Sequence, residues 1–145
     1  MFDIRIIGDK ILTQKAKRVA KIDDTIRTLC ASMANAMIKN NGIGLAANQI
    51  GILKRIIIVL NKETIITMIN PEIIDFSEKT CNLKEGCLSI PNTYILINRP
   101  ETVTVKYRDT RGKPHLETYS GLTSRVIQHE IEHLDGILMT KNINN

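Results

Sequence analysis

Two of the chain's three histidines stand four residues apart with a glutamate beside the first, in His129-Glu130-Ile131-Glu132-His133. An α-helix turns once every ~3.6 residues, so positions i and i+4 project from one face. Two neutral imidazoles on that face can share a metal ion, and Glu130, one residue on, falls within reach of a water activated there. The pattern is a hydrolase signature. In a chain of 145 residues with so few histidines, coincidence is a poor account of it.

The alternative, a charged surface helix, is tested by the surroundings. Across residues 122–134, Leu122, Val126, Ile127, Ile131 and Leu134 cover most of the circumference. Arg125, Gln128, Glu132 and Asp135 form a narrow polar stripe, predicted to face solvent, and His129, Glu130 and His133 fall outside it. A helix apolar nearly all round is an interior one, and a carboxylate buried there is costly enough to need a reason. Ser120 is placed to cap the start and Gly136 to end the helix.

An open two-histidine site needs a third protein ligand from elsewhere. Three cysteines at irregular spacing do not suggest a disulfide framework. Cys30 reads as a small hydrophobe in an amphipathic helix, and Cys81, in a polar stretch, as an exposed thiol. Cys87 follows Gly86, which gives the backbone freedom for a close approach. Taken alone Cys87 is more often packing, but beside the histidine pair it becomes the candidate ligand. His115 is expected at the surface, away from the metal.

These residues must be positioned by the elements around them. A helix is predicted over 25–39, capped by Asp23 or Asp24, with Ile26, Leu29, Met33 and Met37 as its inner stripe and Gly42 beyond its end. Strands are predicted over 55–60, 65–70 before Pro71, 73–76, 94–97 and 102–107. The last alternates Val103, Val105 and Tyr107 with Thr102, Thr104 and Lys106. A turn at 109–112 returns the chain as a strand over 115–119. This order gives an α+β class: antiparallel strands wrapped around a central C-terminal helix that carries the motif, with one further N-terminal helix. No repeat or linker divides residues 1–145, so a single catalytic domain is expected.

Composition sets the frame. Hydrophobic residues make up 43% and charged residues 24%, as in soluble globular chains, but aromatics are 3% with no Trp, so Ile, Leu and Val must fill the core. No apolar run approaches the ~20 residues of a membrane span or resembles a signal peptide, and a cytoplasmic protein with no membrane partner is expected.

Before the first strand lies Gly42-Ile43-Gly44-Leu45-Ala46-Ala47-Asn48-Gln49-Ile50-Gly51, dense in small residues. Its glycines are either loop punctuation or room for a peptide backbone to come close. Gln49 is an amide donor suited to a developing oxyanion, though a lone Gln is usually polar surface.

Three fragments taken together carry a resemblance: Gly42-Ile43-Gly44-Leu45-Ala46-Ala47-Asn48-Gln49, Glu85-Gly86-Cys87-Leu88-Ser89 and Gln128-His129-Glu130-Ile131-Glu132-His133-Leu134. In this order and separation they closely resemble the signature motifs of the peptide deformylases. The resemblance implies an enzyme that removes the N-formyl group from the initiator formyl-methionine of nascent polypeptides, releasing formate. Carried over position by position, it implies Cys87, His129 and His133 as metal ligands and Glu130 as general base. Gln49 and the Leu88 backbone N–H would stabilise charge on the formyl oxygen. Ile43, Leu83, Leu122, Val126 and the ring of His129 would line the methionine pocket, with backbone groups of Gly44 and Gly86 holding the peptide like an added strand. Arg99 is either at the substrate rim or a solvated loop charge before Pro100. The family favours Fe²⁺ in the cell, while one thiolate and two imidazoles also suit Zn²⁺, Ni²⁺ or Co²⁺.

The chain departs from the family pattern in three places. Glu132 stands where Asp is common, on the stripe predicted to be polar. No proline follows Asp9 as in many members. The sequence ends at Asn145 without the long C-terminal helix that contacts the ribosome in some members, which puts docking by that route in question. Two rival functions share parts of this pattern. A zinc peptidase shares His-Glu-x-x-His but not the upstream cysteine ligand. A nucleic-acid or ribosome-binding module is suggested by the net charge of +5 and by Lys15, Lys17, Arg18 and Lys21. Those cations lack interleaved aromatics or a binding motif, so no specific nucleic acid is expected, only a weak ribosome contact.

Overall fold

The computed structural model describes residues 2–142. Helix α1 spans Asp24–Lys39; strands follow as β1 Gly44–Ala46, β2 Ile56–Asn61, β3 Thr64–Phe76, β4 Thr80–Cys87, β5 Ile90–Pro100, β6 Thr102–Arg108 and β7 Pro114–Ser120; helix α2 is Gly121–Leu134. Five strands form one antiparallel sheet in the order β1-β2-β3-β6-β7, and β4 with β5 makes a separate two-stranded ribbon. The expected α+β class, with strands around a C-terminal motif helix, is what is observed.

Strand β2 explains how one sheet serves two helices. Its Ile56 and Ile58 join the cluster under α1, while Ile57 and Val59 join the cluster under α2. Successive side chains of a strand point to opposite faces, so a run buried on both sides reads as continuous Ile and Val.

Helix α1 starts where Asp23 accepts the Ile26 N–H at 3.1 Å. Its buried stripe is Ile26, Cys30, Met33, Ala36 and Met37; the predicted Leu29 is only half-buried. The helix closes with Asn41 at φ 57 and the Gly42 N–H on the Met37 carbonyl.

Two of the predicted strands merge into one. Strand β3 runs through Pro71, which donates nothing to a ladder, because the register shifts between Ile69 and Glu72 and again before Asp75. A bulge is where a strand tolerates proline. Asn70, at φ 53, donates its N–H to the Arg55 carbonyl and holds Val19 N and O with its side-chain amide.

Strand β4 was not expected, because its residues read as a polar stretch. It pairs with β5 from Thr80 opposite Pro100 to Cys87 opposite Ile90, and β5 is accordingly longer than the predicted 94–97. This ribbon overturns the solvent stripe expected on α2. Arg125 and Gln128 are 6% and 5% exposed, because Arg125 reaches the Cys81 and Ile97 carbonyls and Gln128 the Pro100 carbonyl of the ribbon. Leu122, counted as apolar interior, is instead 60% exposed.

Ser120 precedes α2 as expected but makes no side-chain cap; its hydroxyl bonds Thr102 Oγ1. At the other end Gly136 has φ 73, and a Cβ there would stand 2.6 Å from the Thr13 carbonyl oxygen. Arg55 holds this terminus through the Leu134 carbonyl and Asp135. Among the described residues, no helix is long and apolar enough to cross a membrane.

Candidate metal centre

Helix α2 presents His129 and His133 on one face, their ring centroids 5.0 Å apart and edge-on. Cys87 reaches them from the end of β4. A register shift between Glu85 and Cys87, at Gly86, carries the sulfur to 3.3 Å from His133 Nε2. One donor atom from each of the three residues lies within 4.8 Å of the others, the histidines buried and Cys87 half-buried.

The donor set suits a metal ion. Two imidazoles and one sulfur leave room for a fourth ligand, the arrangement of a catalytic site. Two buried atoms here have no hydrogen-bond partner among the described residues, Glu130 Oε1 and His133 Nδ1. Burial, reinforced by the positive charges of His129 and Arg99, pushes His133 down to about 3, so its imidazole is neutral. Burial also disfavours charge on His129, but Cys87, Glu85 and Glu130 outweigh it and raise that ring to about 10. The same anionic surroundings favour a bound cation.

Glu85 orients the first histidine. Its Oε1 accepts His129 Nδ1 at 2.9 Å, which leaves Nε2 of that ring available to a metal ion. Burial alone would raise the Glu85 carboxyl, yet hydrogen bonds from His129 and Arg99 bring it down to about 2. Arg99 grips it with two nitrogens and Arg125 adds a third contact at 2.6 Å. Arg99 also donates to Glu132 at 2.7 Å, and Glu132 accepts from Lys141. Both readings of Arg99, substrate rim and solvated loop, are therefore corrected: it is 6% exposed because it neutralises two carboxylates behind the site. Glu132 is likewise a paired group, not a member of a solvent stripe.

Glu130 stands differently. It is 5% exposed, and burial lifts its carboxyl to about 7 even against the pull of His129. Gly44 gives it room, since a Cβ there would lie 2.5 Å from Val126 Cγ1 and 2.6 Å from Glu130 Oε2.

The small-residue segment delivers Gln49 to the same place. Its Oε1 accepts the Ala46 N–H at 2.9 Å, which fixes the amide, and its Nε2 donates to Ser89 Oγ at 3.1 Å, 3.7 Å from the Cys87 sulfur. A cavity of about 430 Å³ joins Ile43, Gly44, Gln49, Gly86, Cys87, Leu88, His129 and Glu130. A smaller one of about 100 Å³ adjoins it, lined by Ile43, Gly86, Leu122, Val126, His129 and Glu130 among others. Leu83 lies outside both linings; it sits on β4, 47% exposed. His115 is apart from the cluster, bonded to Asp109 and stacked on Tyr107.

Glu85, Ser89 and Arg125 were missed as parts of the site, and Arg99 stands behind it rather than at its rim. Two signals pointed to Glu85: it alternates with Cys87, and a ligating histidine needs an acceptor for its other N–H.

Comparison with known proteins agrees with this geometry. Residues 1–145 match the family described as Polypeptide deformylase. The peptide deformylase of Picosynechococcus sp. is 47% identical, across 99% of this chain and 79% of its own length. The crystal structure of peptide deformylase from Thermotoga maritima superposes with TM-score 0.95 at 38% identity, covering 97% of this chain and 96% of that one. That of a peptide deformylase from Synechococcus elongatus in complex with actinonin gives 0.96 at 41% identity, covering 99% and 79%. With full-length matches in sequence and in fold, and a cysteine and two histidines gathered beside a buried glutamate, the chain belongs to the peptide deformylase family, metal-dependent hydrolases that remove the formyl group from nascent peptides.

Proposed function

We propose that Cys87, His129 and His133 hold one divalent metal ion and that Glu130, Gln49 and Leu88 carry out deformylation of formyl-methionyl peptides around it. When bound, the ion supplies Lewis acidity, polarising the formyl carbonyl and making a water acidic enough to yield hydroxide near neutral pH. Glu130 takes the proton from the attacking water; a carboxylate raised to about 7 by burial is matched to both accepting and returning it. As oxygen adds to the formyl carbon, negative charge grows on the formyl oxygen. The Gln49 amide and the Leu88 N–H are the donors for that charge. Glu130 then passes its proton to the departing amine, the carbon–nitrogen bond breaks, and formate and a free methionyl amine leave.

Ile43, Leu122 and Val126 line the small cavity beside His129, and a flexible thioether fits such apolar surroundings. Strand β1 ends the five-stranded sheet and β4 pairs only with β5, so each offers an edge, and Gly44 and Gly86 on those edges border one cavity. An extended peptide laid between them is read through its main chain, which favours broad tolerance downstream.

Fe²⁺ is the ion proposed in the cell, with Zn²⁺, Ni²⁺ or Co²⁺ compatible with the same donors in purified protein. On this reading, residues 1–145 form one catalytic domain working in the cytoplasm, with a weak ribosome contact through the exposed Lys15, Lys17, Arg18 and Lys21.

The observation that supports this most strongly is the meeting of the Cys87 sulfur with both histidines beside the buried Glu130, whose Oε1 has no hydrogen-bond partner among the described residues. Anaerobic formate release from formyl-Met-Ala-Ser, with Fe²⁺ or Ni²⁺ supplied, tests it. Activity is expected to vanish in Glu130→Ala, and metal content to fall in Cys87→Ser. Full activity without Glu130, or undiminished metal without Cys87, would overturn the assignments.

A further inference from the structure

The segment before the 3-10 turn Lys10–Thr13 has no role in the chemistry so far, yet it touches both pieces of backbone that carry the proposed charge-stabilising donors. The Arg5 N–H donates to the Gln49 carbonyl at 2.6 Å, and the Ile7 N–H to the Ser89 carbonyl at 2.8 Å. Both donors lie on the stretch that leads into the turn closed by the Asp9 N–H on the Ile6 carbonyl. This short stretch therefore straps together two regions 40 positions apart in sequence.

Each contact falls where it matters. Cys87 pairs with Ile90, so Leu88 and Ser89 are the two-residue turn of the β4–β5 ribbon. A tight turn moves as a unit, and holding the Ser89 carbonyl holds the Leu88 N–H. On the other side, Gln49 is buried in the 3-10 turn Ala47–Ile50, and its amide already bonds the Ser89 hydroxyl. Side chains thus join Gln49 to Ser89 from within the site, and the strap joins their carbonyls from outside.

The strap is anchored at both ends. Phe2 and Ile4 pack against the core under α1. Asp9 accepts the Ile11 N–H, receives the Arg5 guanidinium at 3.2 Å and leads into Leu12, which is fully buried. These anchors keep the two hydrogen bonds in place.

We propose that Arg5 and Ile7 are positioning residues for deformylation: their backbone N–H groups set the spacing between the Gln49 amide and the Leu88 N–H. This rests on the reading that those two groups receive the charge on the formyl oxygen. Donors of this kind act only if aimed at the position the oxyanion will take, and small misplacements are costly.

The test removes one N–H in two backgrounds. Ile7→Pro deletes the donor to Ser89, and Ile6→Ala, which keeps every backbone N–H of the segment, gives the baseline. In otherwise native metal-loaded enzyme, Ile7→Pro is expected to lower kcat about 10- to 100-fold, with KM within about twofold and metal content unchanged. In Gln49→Ala the same change is expected to cost less than about threefold, because the strap then has one donor fewer to position. Equal losses in both backgrounds, a change confined to KM, or no loss at all would overturn the strap. Gln49→Ala that keeps full kcat would instead overturn the charge-stabilising role, and the strap with it. Should Ile7→Pro fail to fold, an amide-to-ester exchange at Ile7, introduced by joining a synthetic segment 1–29 at Cys30, removes the same N–H without a ring. The same comparison of backgrounds then decides.

Discussion

The two helices are buried to different extents and by different means: α1 on one stripe, α2 nearly all round. Helix α1 hides Ile26, Cys30, Met33, Ala36 and Met37, a single apolar stripe. Helix α2 hides Ser124, Arg125, Gln128, His129, Glu130 and His133 among Val126, Ile127, Ile131 and Leu134. An apolar stripe is stabilised by burial against any suitable surface. A buried polar group needs a partner of its own, and Arg125, Gln128 and His129 find theirs on distant segments: Glu85 on β4, the Ile97 and Pro100 carbonyls on β5. The first helix is held by area, the second by particular atoms. Two cysteines show the same division. Burial pushes the Cys30 thiol up to about 11, which keeps it neutral and inert, whereas Cys87 opens onto the cavity at the metal cluster.

The largest expected effect separates function from stability on α2. Glu130→Gln should reduce kcat for formyl-Met-Ala-Ser by about 100- to 10,000-fold. Because Glu130 Oε1 has no hydrogen-bond partner among the described residues, thermal melting of metal-free protein should be undiminished. A large loss of stability would mean that Glu130 is structural.

Glu85→Ala should do the reverse. It leaves Arg125 inside the protein without a carboxylate and Arg99 with Glu132 alone, a cost of about 3–5 kcal/mol in urea unfolding, and it frees the His129 ring, weakening metal binding by about 10- to 100-fold in a chelator competition. Unchanged stability would show that water replaces the carboxylate, and that α2 does not depend on the ribbon.

Met33→Ala on α1 should cost about 2–5 kcal/mol through the cavity it leaves, with kcat per folded, metal-loaded molecule unaltered. A matching fall in kcat would remove the distinction between the helices.

The smallest effect is Asp23→Ala, which deletes the cap on Ile26 and should lower stability by about 1 kcal/mol. The melting temperature reports it, and no change in KM is expected.

The same contrast governs what could be read in the sequence. Helix α1, the β6–β7 hairpin and the His129, Glu130 and His133 triplet follow local periodicities, and they lie within a residue or two of their expected places. Strand β4 was invisible because Thr80, Cys81, Asn82, Leu83 and Lys84 are all exposed, leaving no alternation to read. Without that ribbon, Arg125 and Gln128 had no reason to be placed inside. Leu122 failed the other way, since helical spacing sets direction but not what stands opposite. The cysteine could be nominated by chemistry, but the shift at Gly86 that turns it toward α2 depends on pairing with β5, which no local pattern reports.

Strand β1 is only three residues long, and that shortness has a consequence in time. A free edge of this length can grip no more than the opening residues of a guest chain, so a polypeptide still being made and one completed long before present it with the same few atoms. On the proposed docking, the race that matters is against the guest's own folding: a beginning that stays extended would be trimmed, and one that tucked itself away first would keep its formyl group.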